Sequence, residues 1–291
     1  MQKRQYTNII GTFLFKEDKM IARDIKTTKK MDEDPDFIFP KLPEFQKQFY
    51  ELNMKQTAKD IINSVKTDNL ISQSVNNIDE LNRTINLLGK RLREWFGLYF
   101  PELNSQINDN EIYAKLVLDK NKEQLSKKYG VKSVGADLDK ADVTQIKVLA
   151  TEITLLVKLR EKQKLYIEKL MAKLCPNTTE VATAQIGAEL IAHAGSLENL
   201  AEMTSSTIQL LGAEKALFRH LKNKRSSCPK HGIIINHPIV ASSRQKDHGK
   251  AARHLASAIS MAAKVDYFHE KGKPNKDYGK KLMAKVKKQL K

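Results

Sequence analysis

The chain has 291 residues, 41% apolar and 29% charged, with a formal net charge of +17, a globular balance that excludes a disordered composition and favours a polyanionic partner, either nucleic acid or an acidic membrane face. Its two cysteines, Cys175 and Cys228, form no C-x-x-C pair, which excludes a disulfide-stapled secreted domain. No apolar run approaches the roughly 18–20 residues of a bilayer span, and the short apolar stretch up to Phe15 lacks the features of a signal peptide, so a soluble, cytoplasmic chain with no membrane association is expected.

In chain order, residues 6–15 and 20–25 are rich in Ile, Phe and Thr, and Lys16-Glu17-Asp18-Lys19 between them predicts a β-hairpin. Pro35, Pro40 and Pro43 punctuate the stretch that follows, and residues 44–65 turn helical. Ile78, Leu81, Ile85, Leu88, Leu92, Trp95 and Tyr99 then recur at spacings of three and four, which places them on one stripe of a long helix ended by Pro101. A second stripe runs through Ile146, Leu149, Ile153, Leu156, Ile167, Leu170 and Leu174, interrupted by Arg160 and Gln163. Stripes of that length want a helix alongside; spacing alone favours packing within the chain over self-association. Residues 104–140 predict shorter helices broken at Gly130 and Gly135. After Pro176-Asn177-Thr178-Thr179 come helical patches separated by Gly187, Gly195 and Gly212, an apolar stretch over residues 232–240, a last helix over 249–265, and a lysine-rich tail from Lys271.

The charge is local. Residues 212–291 hold 20 Lys and Arg against 5 Asp and Glu, whereas the rest of the chain holds 31 against 29. A solubility device would be diffuse; a binding surface is concentrated. Within this region Gly212 precedes a helix start whose first-turn N–H groups suit a phosphate. Lys215 and Arg219 share a face, and Lys222, Lys224, Arg225 and Lys230 carry the charge into the next loop. Arg244, Lys246, Lys250 and Arg253 form a second cluster, with Ser242-Ser243 placed to cap the helix that follows. Asn236 and His237, between the clusters, suit either a base contact or plain backbone satisfaction before Pro238. Phe218, Tyr267 and Phe268 read as core.

All seven histidines lie from His193 onward and none forms H-E-x-x-H. Cys228 and His231 have no second ligand pair, and neither a glycine-rich nucleotide motif nor a nucleophile elbow is present. No catalytic residue, metal or cofactor is expected.

Several blocks in order, Gly187-Ala188-Glu189-Leu190, Ala194-Gly195-Ser196-Leu197, Ser206 through Gly212-Ala213-Glu214-Lys215 to Arg219, Pro229-Lys230-His231-Gly232 and Ala262-Ala263-Lys264-Val265-Asp266-Tyr267-Phe268, resemble the Nop domain of the box C/D small ribonucleoprotein core proteins. Arg91-Leu92-Arg93-Glu94-Trp95, Phe100-Pro101-Glu102-Leu103 and Ser133-Val134-Gly135-Ala136-Asp137-Leu138 are similar to the same family's coiled-coil region. The resemblance implies a mainly α fold in three parts. Residues 1–72 would be a small α/β domain that docks the methyltransferase fibrillarin. Residues 73–173 would be a long antiparallel coiled coil that pairs two copies, through Leu149, Ile153, Leu156 and Ile167. Residues 174–291 would be a helix-rich Nop domain that binds a kink-turn box C/D guide RNA together with a ribosomal-type kink-turn-binding protein.

Carried onto this chain, the expected RNA and partner contacts are Gly212, Ala213, Glu214, Lys215 and Arg219, the loop residues Lys222, Lys224, Arg225 and Lys230, then Asn236, Arg244, Lys246, Lys250 and Arg253. The protein would be a scaffold and not an enzyme. Only about 75 residues precede the coiled coil, short for this family, and the long eukaryotic-style C-terminal extension is missing, which points to an archaeal member. A general basic RNA-binding protein and a splicing-factor-like Nop protein are the alternative readings.

Overall fold

The computed structural model describes three strands as backbone, then residues 43–268 and 277–290, with side chains described from residue 46 onward. Glu17 and Asp18 of the expected turn, Pro35, Pro40 and the start of the lysine-rich tail lie outside the described residues. Two compact units result, Met1–Lys66 and Thr67–Lys291.

In the first unit, β1 (Lys3–Asn8), β2 (Gly11–Lys16) and β3 (Lys19–Arg23) form an antiparallel sheet in that order. Asn8 pairs with Gly11 and Lys16 with Lys19. The first half of the expected hairpin is therefore itself folded back, with Asn8 and Gly11, poor strand formers, bracketing the reversal. Helix α1 (Pro43–Ser64) follows. It starts on a proline, whose missing N–H is harmless in a first turn. Phe49, Tyr50, Met54, Ile61 and Ile62 stay exposed along it.

The second unit opens with α2 (Thr67–Tyr99), then α3 (Leu103–Gln106), α4 (Asn110–Asp119), α5 (Lys122–Tyr129) and α6 (Lys140–Leu174). Helices α2 and α6 pack antiparallel, with Asn82 of the first against Arg160 of the second. Their seam is Ile71, Val75, Ile78, Ile85, Gly89, Leu92 and Phe96 against Ile146, Ala150, Ile153, Val157, Ile167 and Met171. It keeps Ile78, Ile85 and Leu92 of the expected stripe, and Leu81 is buried as well. Its alternate positions are Asn82, Gly89 and Phe96, while Leu88 is half-buried and Trp95 exposed.

The cause is a third helix, α4, which crosses at Gly89, where a Cβ would lie 2.7 Å from the Asn110 side chain. Arg160, read from the sequence as an interruption, is the centre of a polar layer. Its guanidinium donates to Glu111 Oε1 at 2.6 Å and Oε2 at 3.1 Å, to Asn82 Oδ1 at 3.1 Å and to Glu161 Oε1 at 2.7 Å. The bidentate pair with Glu111 thus ties α4 to α6, and the bond to Asn82 ties α2 to it. Ile153 and Ile167, expected as contacts between copies, point into this seam and are 0% and 2% exposed, out of reach of a second copy. Leu149 and Leu156 are half-buried beside it.

Beyond α6 come α7 (Pro176–Ala182), α8 (Ala184–Ala194), α9 (Leu197–Glu202), α10 (Ser205–Leu210), α11 (Glu214–Lys222), a 3-10 turn (Ile233–Asn236), α12 (Pro238–Ala241), α13 (His248–Phe268) and α14 (Tyr278–Gln289). Helix α13 is the hub. Ala251, Ala252, Ala256, Ala258, Ala262 and Ala263 are buried on it with Leu255 and Ile259, and small side chains let α7, α9, α10 and α14 approach closely.

The same core takes in Ile71, Val75 and Ile78 of α2 and Ile167 and Met171 of α6, so the base of the long hairpin is built into it. Each fully buried side chain of this size contributes roughly 1.5–3 kcal/mol relative to exposure. Gly187 does not break a helix as expected. It lies inside α8, where a Cβ would come 2.7 Å from Met171 Cε. The lysine-rich tail contains a helix the sequence reading lacked, α14, anchored by buried Leu282 and Val286.

Candidate nucleic-acid interface

The turn between α10 and α11 is built by close backbone approach. Gly212 has φ +86, and a Cβ there would lie 2.5 Å from Ile233 Cγ1. Both facts require glycine. The segment opposite is laced on by three hydrogen bonds: Gly232 N–H to Gln209 O at 2.8 Å, Ile233 N–H to Leu211 O at 2.9 Å, and Gln209 Nε2 to Lys230 O at 2.7 Å. Gly232 is needed too, since its Cβ would sit 1.9 Å from Leu211 O. Gly212 remains exposed at the tip, with Ala213 half-buried behind it.

Glu214, expected among the RNA and partner contacts, is half-buried in the turn. Its Oε1 accepts from the Gly212 N–H at 2.6 Å. Burial opposes its charged form, but the N–H groups of Gly212 and of Glu214 itself hold its carboxyl below the usual range. A carboxylate at the first turn of α11 also suits the positive end of the helix dipole. The Gly212 amide is thus occupied, and Glu214 is a strut of the turn.

Helix α11 buries no residue. Lys215, Arg219 and Lys222 are exposed along it. Phe218 and Phe268, read as core, are 66% and 64% exposed; Leu221 beside Phe218 is 64% exposed too, because α11 stands off the core and among the described residues nothing covers its apolar side. The following loop exposes Lys224 and Arg225 and is shaped by the Arg225 N–H on Asn223 Oδ1 at 3.1 Å and by His220 Nδ1 against Ser226 O at 2.5 Å.

Asn236 is exposed on the 3-10 turn, but its neighbour His237 is 3% exposed. The His237 Nδ1 accepts from the Ile239 N–H at 3.2 Å, capping α12, and burial lowers its pKa. Of the two readings for His237, backbone satisfaction holds. Ser242 and Ser243 do not cap the helix that follows, although the sequence placed them to do so; Ser242 instead ends α12, its N–H donating to Pro238 O at 2.9 Å. Helix α13 begins only at His248, and the Ser243 hydroxyl donates to Val240 O at 2.8 Å. Arg244, Lys246, Lys250 and Arg253 are all exposed, with Arg244 Nε on Asp247 Oδ2 at 2.9 Å.

The two basic clusters meet. The Lys230 side chain lies against Gly249, 3.7 Å from where a Cβ would stand, and the His231 ring meets His248 edge-on at 5.9 Å between centroids. Burial first, then His248, lowers the His231 pKa, and the ring contact joins the loop to α13. The sequence reading missed Lys287, whose side chain shares a cleft with Arg244 and Lys250. The signal was the apolar pair Leu282 and Val286, four apart within the lysines.

Among the described residues no three His, Cys, Asp or Glu side chains are grouped as metal ligands, and no helix is long and apolar enough to cross a membrane.

The Nop family, described as "snoRNA binding domain, fibrillarin", matches residues 77–291. An uncharacterized NOP5 family protein of Methanocaldococcus jannaschii is 42% identical over 248 residues, 79% of this chain and 59% of that protein. Nucleolar protein 56 of Mus musculus is 35% identical over 254 residues, 80% of this chain and 43% of its own length. Nucleolar protein 58 of Candida albicans is 35% identical over 238 residues, 76% and 46%. The chain thus spans little over half of the first relative and under half of the nucleolar proteins. A chain of a solved fibrillarin/Nop5p complex aligns over 99% of this chain and 100% of its own, with a TM-score of 0.50 and 21% identity, a likeness of fold. With most of its length inside the family match, and with the turn at Gly212 built as described, the chain belongs to the Nop family.

Proposed function

We propose that the chain is the scaffold subunit of a box C/D small ribonucleoprotein. It binds a kink-turn guide RNA together with a ribosomal-type kink-turn-binding protein and recruits fibrillarin for RNA-guided 2′-O-ribose methylation. Its own contribution is positional, and the methyl transfer belongs to fibrillarin. The observation that carries this reading is the composition of the exposed α11 face. Lys215 and Arg219 supply phosphate contacts, while exposed Phe218 and Leu221 beside them suit a protein surface. A composite of RNA and protein satisfies both halves; RNA alone would leave the apolar half wet.

The remaining parts follow the family's organisation. Residues 174–291 carry the RNA surface and residues 73–173 the coiled coil. Residues 1–72 would dock fibrillarin, with the exposed apolar side chains of α1 as the contact. Pairing of two copies would use the outer stripe of α6, where Val148, Leu155, Leu159 and Tyr166 fall on one line and are 40–49% exposed.

The test is assembly on a kink-turn RNA, with and without the kink-turn-binding protein, over a range of salt. Lys215→Ala with Arg219→Ala is expected to weaken assembly and to reduce the slope of log K against log salt by about 2. An unchanged slope, or equal affinity for any duplex with no help from the partner protein, rejects the reading in favour of a general basic RNA-binding protein.

A further inference from the structure

The segment from Lys230 to His237 backs the turn at Gly212 and carries a histidine near each end. Its Gly232 and Ile233 N–H groups donate to Gln209 O and Leu211 O, just before that turn. At one end the His231 ring meets the His248 ring of α13 edge-on, 5.9 Å between centroids. At the other end His237, 3% exposed, accepts from the Ile239 N–H through Nδ1 and donates to the Val181 carbonyl of α7. We propose that the two histidines form a proton-released clasp: neutral, they fasten this segment to α7 and α13, and on protonation they free it and leave the Gly212 turn without its backing. The clasp is a property of the free chain, and the RNA-binding reading above enters only in what the turn serves.

The bonds of His237 require its neutral ring. Nδ1 accepts from Ile239 only while it carries no proton. The one ring proton then sits on Nε2, the nitrogen left for Val181. That carbonyl lies in the last turn of α7, where a helix end leaves its carbonyls without intrahelical donors. A proton added at Nδ1 removes the acceptor, uncaps α12 and charges a buried ring.

At His231 the cost is repulsion. Lys230 precedes it and packs along Gly249, and His248 faces it, so a proton taken up there stands beside one cation and a second ring able to become one. Among the described residues no carboxylate bears on either ring. Asp247, next to His248 in the chain, is held by Arg244 Nε at 2.9 Å, and His248 Nε2 lies 3.1 Å from Ser243 O.

Both rings are displaced in the same direction. Burial first, then His248 and Lys230, lower the His231 pKa against the pull of its own backbone carbonyl; burial lowers that of His237 against the Val181 carbonyl. A folded value below the ordinary 6.5 means that the open segment binds protons more tightly than the closed one. Closure is therefore favoured above that ordinary value and is lost as pH falls from it through the lowered ones.

The experiment is amide hydrogen exchange of the full chain without RNA, corrected for intrinsic rates, at about pH 7.5 and about pH 5.5. The Gly232, Ile233 and Ile239 amides are expected to lose protection by roughly three- to tenfold per histidine at the lower pH, while amides of the α2–α6 seam keep theirs. His231→Phe with His237→Asn keeps a ring at one end and a helix-capping side chain at the other but removes both titrations, and the pH effect is expected to vanish in it. Ring-proton titration of the parent gives a second measure that needs no variant: both histidines should titrate below the ordinary value, together with the loss of protection. Unchanged protection at those amides overturns the clasp. So does an equal loss along the seam, which is general acid unfolding, or a pH effect that persists in the paired variant. None of these outcomes bears on the RNA-binding reading, which the salt dependence of assembly tests separately.

Discussion

Asp266 of α13 holds Thr178 of α7 through two hydrogen bonds to one oxygen, from the Thr178 N–H at 2.7 Å and its hydroxyl at 2.8 Å. The other oxygen accepts from the Asn177 N–H at 3.2 Å and from Asn177 Nδ2 at 2.8 Å. The first turn of α7, directly after the long hairpin, is thus capped from a helix almost ninety residues away. Asp266→Ala leaves buried donors without partners and is expected to cost about 2–4 kcal/mol. For a unit of this size that lowers Tm by roughly 5–15 °C, read by thermal melting. A shift below 2 °C would show that water replaces the carboxylate.

Gly212→Ala is expected to destabilise by about 1–3 kcal/mol, since alanine disfavours φ +86 and its methyl meets Ile233. Chemical denaturation checks this. The same substitution should weaken RNA assembly more than an equally destabilising core substitution such as Ile259→Val.

Glu214 makes the turn pH-sensitive in a defined direction. Its folded pKa is depressed, so its stabilisation is present above the ordinary glutamate value of about 4.5 and is lost as pH falls through the lower folded value. Glu214→Gln should lower Tm by roughly 1–3 °C at pH 7, with the difference vanishing in acid. A difference independent of pH would assign the effect to hydrogen bonding alone.

Glu189 has the opposite sign. Burial, then Asp79 and against the pull of His193, raises its carboxyl. Charging it costs stability as pH rises from the ordinary value through the raised one. Glu189→Gln is therefore expected to raise Tm at pH 8 and to leave it unchanged near pH 4. Melting curves at the two pH values decide; a lower Tm at pH 8 would show that the carboxylate is stabilised by its neighbours.

Leu155→Asp with Leu159→Asp should convert any dimer of the full chain to a monomer with little loss of helicity, because both side chains face outward. Ile153→Asp, by contrast, should unfold the hairpin. Sedimentation and circular dichroism separate the two. A dimer that survives the first pair places the contact elsewhere.

The long helices, the hub helix α13 and the turn at Gly212 were legible because periodicity, proline stops and glycine next to a helix start are local signals. The seam was legible only in half. A three-four spacing is satisfied on either side of Ile78, Ile85 and Leu92, and the choice falls to α4, whose crossing at Gly89 no local pattern announces. Phe218 was misread for the same kind of reason. Amphipathy identifies an apolar side but not whether anything covers it. Glu214 was read by its position in a motif, whereas its hydrogen bond depends on where Gly212 points. Helix α14 was hidden because lysine content outweighed two apolar residues four apart.

The layer of Asn82, Arg160 and Glu111 has a consequence for distance. A helix of 35 residues is about 52 Å long, and sliding one helix past the other by a heptad would move its tip by about 10 Å. Any such slip would strand the guanidinium among aliphatic side chains without its carboxylate. The hairpin therefore behaves as a calibrated rod with one permitted length, and whatever grips its far end is held at a set reach from α11 and α13.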